Sequence, residues 1–296
     1  MTSRERLLTA LHGGTPDRVP VTLFLIEQGH FLGQLYPDID PQDSEACQLK
    51  VIETQKQFGC DVYVRLLNDI IDLNIIYGGL DVSRSAANWD VKTEEVREGN
   101  NLRRRSTIKT PKGELSQEFT ITDMGHGTFH HACTRKPIKD LKDLEIVENY
   151  EPGVSEEYKN RIKKRIDIIR QALGDSGIIG TWGPHGPFNV SSLLINHEEL
   201  YSLFLVEPEF YERLMNFSLK RSYGYIRALD EAGTDVHCVG GNVPGGFLGK
   251  QAYDQYILPY EKQLIAVAQE KGKAAMYHNC GEIMNLVESY ISLGVK

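Results

Sequence analysis

Five short apolar runs, spaced along the chain with helical periods between them, constrain this 296-residue sequence more than any other feature. They fall at residues 19–26, 60–67, 177–181, 235–239 and 274–277. The first, 19–26, is a continuous apolar run of the kind found in strands buried on both faces of a parallel sheet. Helical periods follow at residues 44–58, 190–204 and 208–232, 253–271 and 283–293. An opening helix over residues 2–12 carries Leu7, Leu8 and Leu11 behind a Thr/Ser cap, and another over 155–173 has a charged outer face. Strand, loop, helix, strand in this rhythm requires parallel strands joined by crossovers.

Residues 89–123 break the rhythm. Two runs of alternating polarity, 102–110 and 114–122, flank Pro111-Lys112-Gly113, which is hairpin chemistry, so this stretch is expected to be an inserted antiparallel hairpin. The alternating frame fits either a doubly wound sheet or a barrel. No G-x-G-x-x-G follows a strand, and Gly240-Gly-Asn-Val-Pro-Gly-Gly246 lacks the ending of a P-loop. Polar residues gather after the strands instead: Glu27 and His30, Asn68 and Asp69, His185, Asn242, then His278 and Cys280. That is where a (β/α)8 TIM barrel keeps its active site, so the expected fold is one α/β barrel domain over residues 1–296 with the hairpin inserted. A sixth strand would begin at residues 294–296, so closing eight is expected to need further chain.

Composition narrows the function. With 33 basic against 41 acidic residues the net charge is −8, and the longest basic cluster is Arg103-Arg104-Arg105. No nucleic-acid partner is expected of such a surface; the triplet suits a solvated hairpin edge. No run reaches the roughly 18 apolar residues of a membrane span, and the amino terminus has no apolar core of a signal peptide, so no membrane role is expected. Five cysteines without a framework spacing suggest free or metal-bound thiols in a reducing cytoplasm.

The stretch Lys273-Ala-Ala-Met-Tyr-His-Asn-Cys-Gly-Glu282 ends a strand on two metal-binding side chains. Residues i and i+2 of a strand project to one face, so His278 and Cys280 would converge while Asn279 points away. An imidazole beside a thiolate is zinc chemistry; a core histidine and a small buried thiol would give the same pattern.

Taken in order, Arg4-Glu-Arg-Leu-Leu-Thr-Ala-Leu11, Pro16-Asp-Arg-Val-Pro-Val21, Tyr256-Ile-Leu-Pro-Tyr260 and Tyr277-His-Asn-Cys-Gly281 resemble the uroporphyrinogen decarboxylase superfamily. The resemblance implies a (β/α)8 barrel, and about three more strands than the chain contains. It divides into two chemistries. Decarboxylases hold an acidic tetrapyrrole with the arginines of an Arg-Gln-Ala-Gly-Arg-Tyr segment, where this chain has Ile26-Glu-Gln-Gly-His-Phe31. A carboxylate at Glu27 would repel a polycarboxylate. Asn68-Asp69-Ile70 does resemble the decarboxylase Ser-Asp-Ile, which makes Asp69 a candidate catalytic residue beside Glu27.

The other branch comprises zinc- and corrinoid-dependent methyltransferases, which include methylcobalamin:coenzyme M methyltransferases and demethylases of methoxylated aromatics. Their His-x-Cys zinc motif is matched by His278-Asn-Cys280, with Glu27, His237 or Glu282 as substitutes for a distant third ligand. The resemblance therefore implies a cytoplasmic enzyme that uses zinc, held by His278 and Cys280, to move a methyl group between a small-molecule donor or acceptor and the cobalamin of a partner corrinoid protein. Asn68, His185 and Asn242 would orient that molecule, and Trp182 and Phe188 could wall an aromatic one. Metal-free uroporphyrinogen decarboxylation, and an inactive barrel that only binds a corrinoid protein, are the alternatives.

Overall fold

The computed structural model describes residues 1–295 apart from positions 24, 26–29, 41–42, 67–78, 126–127, 182–185, 242–246 and 280–281. Helix α1 (Ser3–Leu11) opens the chain on a capping box: the Thr2 hydroxyl accepts from the Glu5 amide at 3.1 Å, and the Glu5 carboxylate accepts from the Thr2 amide at 2.8 Å. Residues 19–26, expected as the first strand, show no sheet pairing among those described. Val19 and Val21 are 78% and 53% exposed, so the apolar run does not begin in a core. Asp61 ties it down instead, accepting from the Val21 amide at 3.0 Å while its own amide donates to the Val21 carbonyl at 2.7 Å. Helices α2 (His30–Leu35) and α3 (Ser44–Gln57) follow, the latter capped by Asp43, and lead to β1 (Val62–Leu66).

The insertion is larger than one hairpin. β2 (Asp90–Glu98), β3 (Asn101–Thr110), β4 (Gly113–Gly125) and β5 (Thr128–Arg135) form a four-stranded antiparallel meander, so the alternation continues well past residue 123. Pro111-Lys112 is the β3–β4 turn, with Thr110 opposite Gly113. The Arg103–Arg105 triplet lies on an inner strand, not an edge, and two of its members are paired with β2: Arg104 bonds Glu95 at 2.6 Å and Arg103 bonds Glu98 at 3.0 Å. Trp89, fully buried, pins the sheet's root by donating to the Asp81 carbonyl at 2.7 Å. Gln117 does the same from β4, accepting from the Leu80 amide at 2.7 Å and donating to the Leu80 carbonyl at 3.3 Å.

Parallel pairing then resumes. Helices α4 (Leu141–Tyr150) and α5 (Glu156–Leu173), capped by Asp140 and Ser155, lead into β6 (Gly177–Thr181). The next crossover holds three helices where two were expected: α6 (Pro187–Leu194), α7 (His197–Val206) and α8 (Pro208–Ala232). After β7 (Val236–Gly241) the expected helix is divided, with a π turn at Tyr253–Ile257 ahead of α9 (Leu258–Ala268). Pro259 explains the break, since it has no amide to continue the i→i−4 ladder. β8 (Ala274–Asn279) and a short α10 (Val287–Ile291) complete the described chain.

The parallel sheet runs β1-β6-β7-β8, and its two faces differ. Val62, Val64, Leu66 and Ile179 pack against α3, α5 and α8. Tyr63, Ile178, Val236, Ala274 and Met276 face the other way, where Leu7, Leu8 and Leu11 of α1 cover the amino-terminal half. Pairing between β6 and β7 is sparse, with Gly180 opposite Val236 as its one register pair among the described residues. Asp235 reinforces it: the carboxylate accepts from the Ile179 amide at 2.8 Å, from Arg4 of α1 at 2.5 and 2.9 Å, and from Arg170 of α5 at 2.8 Å. The Thr181 hydroxyl adds a second link by accepting from the Cys238 amide at 3.2 Å.

Candidate active site at the carboxyl end of the parallel sheet

The parity of each strand decides which side chains share the α1 face. Register pairs Val236 with Ala274, Cys238 with Met276 and Gly240 with His278, so Cys238 and His278 project to the face that α1 covers lower down. On β1 the same parity gives Tyr63 and Arg65. The Arg65 guanidinium lies 5.2 Å from the Tyr63 ring centroid. Toward the carboxyl end this face therefore carries an imidazole, a thiol, a phenol and a guanidinium.

Their protonation follows from burial. Partial burial lowers the His278 pKa, and the positive charge of Arg65 lowers it further, so the imidazole is held neutral at pH 7. Burial pushes the Cys238 thiol up to about 11, against the opposing pull of Arg65. Burial likewise raises the Tyr63 hydroxyl. Gly240 is required beside His278: its φ is +105°, and a Cβ there would stand 2.4 Å from the His278 carbonyl oxygen.

On the opposite face a buried carboxylate supports the same strand. Tyr277 and Tyr253 donate hydroxyl hydrogen bonds to Glu261 Oε2 at 2.5 and 2.6 Å. Glu261 Oε1, buried without a hydrogen-bond partner among the described residues, lies close to Gly186, where a Cβ would be 2.8 Å away. The Gly186 amide donates to the Gly240 carbonyl at 2.7 Å, so the residue before α6 is tied to β7 beside the β8 tyrosine that binds this glutamate.

Of the residues singled out from the sequence, His278 is placed on the α1 face at the end of β8. Glu27, Asn68, Asp69, Trp182, His185, Asn242 and Cys280 lie outside the described residues. His30 opens α2. His237 cannot be a third ligand at this site, because it projects to the helix face and bonds Asp230 of α8 at 2.7 Å, fully buried. Glu282 is solvent-exposed and precedes α10 by several residues. Phe188 belongs to the core, packed 5.8 Å from the Tyr201 ring. Among the described residues no group of three His, Cys, Asp or Glu side chains could hold a metal ion. Burial and Arg65 nonetheless favour the neutral imidazole of His278, the form that metals bind.

Arg65 and Cys238 were not anticipated. Cys238 stands in an expected strand, but linking it to His278 requires the β7–β8 register, which a single strand's pattern does not contain.

Residues 106–296 match the family model described as uroporphyrinogen decarboxylase (URO-D). The chain belongs to the URO-D family. Among curated relatives, the methylcobamide:CoM methyltransferase MtbA of Methanosarcina mazei is 25% identical over 150 residues, covering 50% of this chain and 43% of that protein. The uroporphyrinogen decarboxylase of Mycobacterium leprae is 25% identical over 168 residues, covering 54% of this chain and 45% of that protein. The chain spans about half the length of the curated relatives it matches. A solved structure, a methyltransferase from Methanosarcina mazei, shares the fold with a TM-score of 0.65 at 18% identity, covering 100% of this chain and 74% of that one. No described helix is long and apolar enough to cross a membrane.

Proposed function

We propose that this URO-D family member is a zinc-dependent methyltransferase built on one (β/α)8 barrel domain, moving a methyl group between a small substrate and the cobalamin of a corrinoid protein in the cytoplasm. The observation that carries this reading is His278, a neutral imidazole at the carboxyl end of a parallel strand on the face shared with Arg65 and Cys238. His278 and Cys280 would hold the zinc, which supplies Lewis acidity toward a methyl donor's oxygen or keeps an acceptor thiol as its thiolate. His278 stays deprotonated because burial and Arg65 both disfavour its charged form. Arg65 adds positive charge that would orient an anionic part of the substrate. Tyr277, anchored on Glu261, fixes the strand from behind so that His278 keeps its direction. Similarity to a methylcobamide:CoM methyltransferase supports this chemistry, and Glu27 in place of a substrate-binding arginine weighs against a polycarboxylate substrate. Glu27, Asn68, Asp69, His185 and Asn242 are proposed to complete the substrate site.

The test is metal analysis with turnover. One zinc per chain is expected, with the metal and the methyl transfer from methylcobalamin or a methoxylated aromatic both lost in His278→Ala and Cys280→Ala. Metal-free protein that decarboxylates uroporphyrinogen would overturn the reading. So would normal corrinoid-protein binding without turnover on any methyl donor.

A further inference from the structure

A cavity of about 540 Å³ opens on the helix shell, between α8 and the last turn of α4 with the segment that follows it, Val147 to Val154. The parallel sheet separates it from the α1 face, so it belongs to a different site from His278. Its volume is that of a small-molecule pocket. Two glycines create the space: a Cβ on Gly153 would meet nothing within 4 Å, and one on Gly224 would make only ordinary contact with Val154 at 3.5 Å. One side of the wall is apolar, with Val147, Val154, Phe217 and Tyr225.

The other side is charged and unevenly matched. Arg213, Lys220 and Arg221 face the cavity together with Glu148 and Glu151, three cations against two carboxylates. Arg213 is taken by Glu148 at 2.5 Å. Arg221, whose side chain is nine-tenths buried, reaches Glu151 at 3.0 Å and the Gly79 carbonyl at 2.7 Å through Nη2. Its Nη1 is buried with no acceptor among the described residues. Burial also pushes the Glu151 carboxyl up, which weakens the compensation of Arg221. A buried guanidinium with one N–H unsatisfied keeps positive charge that its neighbours offset only in part, and an anionic group in the cavity beside it would be attracted.

We infer that this cavity is a binding site for a small amphipathic monoanion, an aryl or short-chain alkyl carboxylate whose charged end meets Lys220 and Arg221 and whose apolar body lies against Phe217 and Val154. The probe is 4-phenylbutanoate, titrated calorimetrically into the full chain, with 4-phenylbutanamide as the neutral match. Saturable binding of roughly millimolar strength or tighter is expected for the carboxylate. The amide and the Lys220→Glu variant should each bind about tenfold more weakly, the loss of one charge-assisted contact. Gly224→Leu fills the cavity while favouring the helix, and should abolish binding with the melting temperature retained or raised. Absence of saturable binding overturns the inference, as do equal affinity for the amide and unchanged affinity in Gly224→Leu. Lys220 is solvent-exposed, so Lys220→Glu folds and decides the matter even where the glycine variant does not.

Discussion

Burial pushes the Glu261 carboxyl up to about 7, although Tyr253 and Tyr277 both donate to one of its oxygens. Between the unfolded value of 4.5 and about 7 the folded chain keeps a proton that the unfolded chain has released. Stability therefore falls as pH rises through that window and levels off above it. Glu261→Gln keeps the shape and removes the ionisation, so the slope should vanish and the variant should gain roughly 1–2 kcal/mol above pH 7. Urea titrations from pH 4 to 8 read both effects. At this scale the sequence was legible only where one strand's parity is enough: it orders Ala274, Met276 and His278 on one face but says nothing of what meets them. Glu261 was hidden because a carboxylate after Pro259-Tyr260 on a helix reads as surface charge until packing buries it.

Elements are joined here by a few polar clamps, and these set their stability. Asp235 connects α1, α5, β6 and its own strand. Burial alone would raise its pKa, but Arg4, Arg170 and the Ile179 amide outweigh that and hold it below the ordinary carboxylate value. Asp235→Ala leaves both guanidinium groups without their partner and should cost about 2–3 kcal/mol, less than for a fully buried pair because both arginines are about one-third exposed. Chemical denaturation at pH 7 measures it. Gln117→Leu orphans the buried amide and carbonyl of Leu80 and should destabilise by about 2 kcal/mol, read in the same way. The cap of α1 was readable because Thr2 sits where orphan amides need an acceptor; Asp43, Asp140 and Ser155 do the same for α3, α4 and α5 without having been singled out. The break before α9 and the split between α6 and α7 were obscured by apolar residues that continue a helical period through both.

Across the whole molecule, the alternation of apolar runs and helical periods carried the parallel order of β1, β6, β7 and β8 into the sequence, since each crossover returns the chain beside the strand it left. The antiparallel insertion was visible only in part. Its middle strands alternate cleanly around Pro111-Lys112, whereas β2 is almost entirely exposed and β5 follows irregularities in the ladder, so neither presents a buried face to count. The sparse β6–β7 pairing has a consequence of its own. Part of that ladder is sewn by side chains, and one stitch, from the Ile179 amide to Asp235, comes undone by acid. The carboxylate's contribution is present above the unfolded value near 3.8 and is lost as pH falls through its lower folded value. Hydrogen exchange, corrected for its intrinsic pH dependence, should therefore show the Ile179 amide losing protection in acid ahead of amides in the β7–β8 ladder. The two halves of the parallel sheet would then part along this line first, as a cloth opens where the thread is thinnest.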